Sequence, residues 1–116
     1  MRKLILHNIR SAHNVGSIFR TAEGAGVRKI YLSGYTPAPI DRFGRKRKDL
    51  AKVALGAEDM IEWEKSDDIQ TLISNLKKDG RVIAVEQSPD SVDYTVFSEP
   101  ESVTYIFGNE VEGIEE

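Results

Sequence analysis

Three stretches of the chain hold side chains whose types and spacing can do chemistry. The first runs from His7 to Thr21 and gathers Asn8, Arg10, His13, Asn14, Arg20 and Thr21 around the expected start of a helix. A helix N-terminus presents free N–H groups to an anion. Asn14 and Gly16 stand where backbone can approach a ligand, and Arg20 lies six residues beyond Asn14. The second is Arg42-Phe-Gly-Arg-Lys-Arg-Lys48, five basic residues in seven with one aromatic among them. Such a run suits phosphates through counterion release and a base through stacking. The third, Phe107-Gly-Asn-Glu-Val-Glu-Gly-Ile114, follows an apolar run directly and sets the carboxylate of Glu110 between Gly108 and Gly113. It is neither a dinucleotide fingerprint nor a phosphate-binding P-loop, since G-x-G-x-x-G and G-K-S/T are absent. Each stretch also has an ordinary structural reading: a helix cap, a solvated loop, a strand-to-helix turn.

Charge favours nucleic acid for the second stretch. The net charge is −3, yet residues 1–58 hold 12 Lys/Arg against 4 Asp/Glu, while residues 59–116 hold 4 against 15. A basic working face on an acidic body is the natural expectation. With no cysteine there is no disulfide, thiolate nucleophile or cysteine zinc site, and His7 and His13 are too few for a histidine metal site. The two histidines read as surface or turn residues. The apolar content of 40% and the lack of an 18-residue apolar run point to one cytoplasmic globular domain over residues 1–116, without a membrane span.

The elements that must position these residues alternate. Lys3–Leu6, Lys29–Leu32, Met60–Trp63, Arg81–Val85 and Ser102–Phe107 read as strands. Val15, Ile18, Phe19, Ala22 and Ala25 recur at helical spacing, with Ser11 or Asn14 as cap and Gly24 or Gly26 as stop. A short helix around Leu50–Leu55 ends at Gly56, and Lys52–Glu58 reads as core packing. Ile69, Leu72, Ile73 and Leu76 make a third helical stripe, with Ser66 as N-cap and Gly80 as stop. A long polar connection runs from Gln87 to Glu101. This pattern predicts an α/β fold, a Rossmann-like parallel sheet of about five strands with helices on both faces. Ligands then bind beyond the strand C-termini. The segments to watch are 7–16, 33–48, 86–90 and 108–114.

In this order the segments resemble the SpoU-type RNA 2′-O-ribose methyltransferases of the SPOUT superfamily. A first family motif, N-x-G-x-x-x-R followed by T or N, reads here Asn14-Val-Gly-Ser-Ile-Phe-Arg-Thr21, and a second, G-x-E-x-x-G, reads Gly108-Asn-Glu-Val-Glu-Gly113. The Gly34–Pro37 and Lys52–Glu58 segments also look like this family, so the resemblance covers essentially the whole chain. A third motif of the S-L-N-V-S-x-A type, which in the family closes a trefoil knot and supplies much of the dimer interface, has no counterpart, so the domain is expected to be truncated C-terminally.

The resemblance implies methyl transfer from S-adenosylmethionine to a ribose 2′-hydroxyl of tRNA or rRNA, in a homodimer and without metal. It implies catalytic roles for Arg20, Asn14 and Glu110, with Asn14 orienting Arg20 or the ribose. Val85, Glu86, Gly108, Asn109 and Gly113 are implied around the cofactor. Arg10, His13, Arg42, Arg45, Lys46, Arg47 and Lys48 are the expected RNA contacts. Guanidinium keeps its proton up to a pKa above about 12, so Arg20 suits a phosphate clamp better than a base. The alternatives are an inactive RNA-binding remnant or a fragment of such an enzyme.

Overall fold

The computed structural model describes residues 1–85 and 102–108. Strand β1 spans Arg2–His7, helix α1 Ala12–Gly24, β2 Val27–Ser33, α2 Lys48–Ala54, β3 Glu62–Ser66, α3 Ile69–Lys77, β4 Arg81–Val85 and β5 Val103–Gly108, with a 3-10 turn at Ala57–Asp59. The strands form one sheet in the order β3-β2-β1-β5-β4, every pair parallel. β1 is central, with β2 on one side and β5 on the other, so the chain changes direction at β1. That switch point is where an open α/β sheet leaves a crevice.

Period-two alternation sorts the core into two layers. Leu4 and Leu6 of β1 and Ile30 and Leu32 of β2 meet Val15, Phe19 and Ala22 of α1 and Leu50 and Ala54 of α2. Ile5, Tyr31 and Ile106 face the other way, against Leu72, Ile73 and Leu76 of α3. Helices therefore cover both faces, as the sequence predicts.

Local details settle one expected alternative and depart from expectation in three places. Ser11 is the cap of α1: its hydroxyl accepts the Asn14 N–H at 3.1 Å, which leaves the Asn14 side chain exposed. α3 is capped by Asp68 rather than Ser66, because Asp68 accepts both the backbone N–H (3.1 Å) and the hydroxyl (2.8 Å) of Thr71. β3 begins at Glu62 and runs to Ser66, later than the expected Met60–Trp63. It is an edge strand carrying Glu62, Glu64 and Lys65, so its apolar signal is weak. His7 is buried at the end of β1, not a turn or surface residue. The expected packing role of Lys52–Glu58 is met by Ala54, Ala57 and Glu58, which are all buried. Glu58 takes the Gly56 N–H at 3.1 Å and lies 3.7 Å from the Lys46 ammonium.

Candidate nucleic-acid interface

The C-terminal ends of the central strands lie level, with His7 in register with both Ser33 and Gly108. The loops leaving β1 and β2 are tied together there. Asn8 adopts a left-handed conformation (φ 56°), which asparagine tolerates better than most residues. Its Oδ1 accepts the Tyr35 N–H at 3.1 Å, which turns its amide nitrogen toward His7 Nε2 at 3.2 Å. His7 Nε2 is then the acceptor, and Nδ1 carries the proton and donates to Ser33 Oγ at 2.9 Å. Burial pushes the His7 pKa down, in keeping with this neutral form. The buried Thr36 hydroxyl accepts the Ile9 N–H at 3.0 Å and sits 2.9 and 2.8 Å from the Leu6 and Ser33 carbonyl oxygens. Gly34, at φ 65°, passes so close to the Asn8 side chain that any Cβ there would overlap it.

Beside this strap, at the ends of β2 and β3, lies an open cleft of about 670 Å³. Arg10, Arg42, Arg47 and Lys65 outnumber Asp41 and Asp49 in its lining and leave it net positive, and Tyr35 and Trp63 give it aromatic walls. Arg10 lies over the Tyr35 ring at 5.4 Å. Arg47 is fixed by its Nε–H bond to the Ala38 carbonyl (3.1 Å), and the Lys65 ammonium donates to the Thr36 carbonyl at 2.8 Å. Burial pulls the Lys65 pKa below the usual lysine value; Asp67 opposes this and Arg47 adds to it. Guanidinium and ammonium donors, two of them held in place, beside aromatic walls suit phosphates and bases.

Of the seven expected RNA contacts, the cleft brings together Arg10, Arg42 and Arg47. Arg45 stays at the tip of the basic loop, 3.5 Å from Asp41, and Lys46 is turned to Glu58. Lys48 opens α2, and His13 is exposed on α1. Lys65, Trp63 and Tyr35 join the cleft without having been singled out. The segments to watch include none after the third strand, although the expected strand Met60–Trp63 ends at Trp63, and the rule that ligands gather at strand C-termini points there and to Lys65.

The first motif is divided by the helix that carries it. Six residues separate Asn14 from Arg20, which is about 9 Å along α1 and about 120° around it, so the two do not share a face. Both are exposed, and Arg20 is outside the cleft lining. Gly16 faces the neighbouring helix. It is buried against α2, where an added Cβ would stand 2.6 Å from the Leu50 carbonyl oxygen. Of the expected cofactor contacts, Val85 ends β4 and Gly108 ends β5, both half-buried. Glu86, Asn109, Glu110 and Gly113, and the polar connection from Gln87 to Glu101, lie outside the described residues. Those described contain no cluster of metal-ligating side chains and no helix long and apolar enough to cross a membrane.

Residues 1–116 match the SpoU rRNA methylase family. The chain belongs to that family. It is 30% identical over 112 residues to a 23S rRNA (guanosine-2′-O-)-methyltransferase of Neisseria meningitidis, covering 96% of this chain and 42% of that protein. Among solved structures it is similar to an rRNA methyltransferase from Sinorhizobium meliloti, with 27% identity and a TM-score of 0.75 over 98% of this chain and 42% of the other. An AdoMet-bound rRNA methyltransferase from the same organism shares the fold at 20% identity and a TM-score of 0.72, over 95% of this chain and 40% of the other. The chain thus spans about two-fifths of the length of these SpoU relatives.

Proposed function

We propose that this SpoU-family chain takes part in methyl transfer from S-adenosylmethionine to a ribose 2′-hydroxyl of tRNA or rRNA. The observation that carries the reading is the basic, aromatic-walled cleft at the ends of β2 and β3, in a chain with both family motifs. Arg10, Arg42, Arg47 and Lys65 hold RNA phosphates there. Arg20 clamps the phosphate next to the reacting ribose and stabilises charge developing on the 2′-oxygen. Asn14, on a different face of α1, orients the ribose rather than Arg20, and Glu110 of the second motif is the third catalytic residue in this reading.

The described strand ends fit the adenosine part of the cofactor. Val85 and Phe107 are register partners, both half-buried, and Gly108 follows with no side chain, which together offer an apolar wall and an approachable backbone. The family resemblance adds Glu86, Asn109 and Gly113 as further proposed cofactor contacts. When bound, S-adenosylmethionine supplies an electrophilic methyl group. The reading includes a homodimer and a cytoplasmic location, both carried by the family resemblance.

The test is incubation of the chain with methyl-labelled S-adenosylmethionine and bulk tRNA or rRNA, followed by alkaline hydrolysis. Label in alkali-resistant dinucleotides is the expected result. Arg20→Ala should abolish it while circular dichroism stays unchanged. Label on a base would overturn ribose specificity, and RNA binding without any transfer would make the chain a non-catalytic RNA-binding remnant.

A further inference from the structure

The basic loop contains one residue that phosphate binding does not explain. Phe43 is 66% exposed, among the most exposed large apolar side chains described. It stands at the tip of a tightly tied turn. Asp41 Oδ1 accepts the backbone N–H of both Phe43 and Arg45 at 2.9 Å. Asp41 N donates to the Arg45 carbonyl at 2.8 Å, Gly44 N donates to the Asp41 carbonyl at 2.9 Å, and Ile40 bridges to Lys46 below. Gly44 supplies the positive φ, 80°, that closes the turn. The ring is therefore presented by fixed backbone, which lowers the ordering cost of any partner that meets it.

The guanidinium carbons of Arg42 and Arg45 lie over the Phe43 ring, 5.0 and 5.1 Å from its centroid, and a base that stacks there takes the place of one of these exposed side chains. Arg42 also lines the cleft, so the Phe43 tip is continuous with its rim. A partner must offer a flat apolar face and negative charge within a few ångströms of each other. An unpaired nucleotide does both. A duplex does not, because its bases are stacked inside and a phenyl ring has no donor or acceptor with which to read their edges.

We infer that Phe43, between Arg42 and Arg45, is a stacking platform for an unpaired nucleobase of the bound RNA. This rests on the RNA-binding reading above and adds to it a site for a single-stranded segment at the cleft rim.

Fluorescence anisotropy with the full chain tests it, using three probes of equal length: a single-stranded RNA, a blunt RNA duplex and an abasic ribose-phosphate strand. Phe43→Ala should weaken single-strand binding by about 5- to 150-fold, the range for loss of one stacked base. Binding of the duplex and the abasic strand should change less than about twofold, and Phe43→Trp should restore single-strand binding. A 2-aminopurine in the single strand should be quenched by the wild type and by Phe43→Trp but not by Phe43→Ala. Equal weakening of all three probes, or no weakening of any, overturns the platform while RNA binding by the wild type stands. Failure of the wild type to bind any probe overturns both readings, as would Phe43-dependent binding to phosphatidylserine vesicles in place of RNA.

Discussion

Replacing Gly16 with alanine should destabilise the protein, although alanine is the better helix former. Gly16 lies inside α1, where Gly→Ala ordinarily gains up to about 1 kcal/mol. Here the new Cβ would meet the Leu50 carbonyl oxygen at 2.6 Å, Val53 Cβ at 3.1 Å and Ala54 N at 3.3 Å. Close carbon–oxygen contacts settle near 3.3–3.6 Å, so α2 must retreat by about 0.7 Å or more. Two of the three obstacles are helix backbone and cannot rotate away. Overpacking of this kind costs about 1–3 kcal/mol. The retreat also loosens Leu50 and Ala54, which are fully buried on the same face. A net loss of about 1–2 kcal/mol corresponds to a fall in Tm of roughly 4–8 °C for a chain of this size. Gly24, the last residue of the same helix, is the control. Nothing lies within 4 Å of a Cβ built there, so Gly24→Ala should raise Tm slightly. Thermal melts by circular dichroism, paired with urea titrations read by Trp63 fluorescence, measure both variants. Trp63 packs against the same core and reports on α2. A Gly16→Ala protein that melts at or above the wild type would show that the α1–α2 crossing is not limited by this contact.

Three further outcomes are expected. Below pH 6.5, the ordinary histidine value, the unfolded chain takes up a proton on His7 that the folded chain refuses. Stability should therefore fall as pH drops from 6.5 toward the lower folded value and then level off; His7→Gln should flatten that segment of a urea-midpoint profile, and an unchanged profile would exclude His7 as its source. Asn8→Ala should cost more stability than Asn8→Gly, about 1–3 kcal/mol against less, since both lose the Tyr35 hydrogen bond but only alanine also bears the left-handed strain; equal urea midpoints would contradict this. Arg42→Ala should weaken RNA binding and reduce the slope of log K against log salt by about 1, with Tm unchanged because the residue is exposed; an unchanged slope would remove Arg42 from the phosphate contacts.

Much of the fold is legible in the residues because it depends on local pattern. Apolar runs mark β1, β2, β4 and β5, and the 3.6-residue stripe of Leu72, Ile73 and Leu76 marks α3. β3 is blurred because an edge strand with charged neighbours has little apolar signal to register. The site is legible in its residue types and opaque in its grouping. Arg42 to Lys48 is an evident basic run, but whether a charge faces RNA or the fold depends on partners distant in sequence. Lys46 meets Glu58, and Arg47 meets the Ala38 carbonyl.

By itself the sequence determined the alternating α/β order, the charge asymmetry and the two motifs that mark the family, because each resides in neighbouring residues. Tertiary structure decided which of those residues act together. Only packing shows that Gly16 is needed at the α1–α2 crossing, since the obstacle is a carbonyl 34 residues away. Only strand register brings His7 against Ser33 and turns an apparent surface histidine into a buried strap between two loops. Helix geometry sets Asn14 and Arg20 on different faces, and the pairing of β3 with β2 brings Trp63 and Lys65 to the cleft. Local pattern fixes what a segment becomes. Contacts between distant segments settle what it faces, and chemistry needs the second as much as the first.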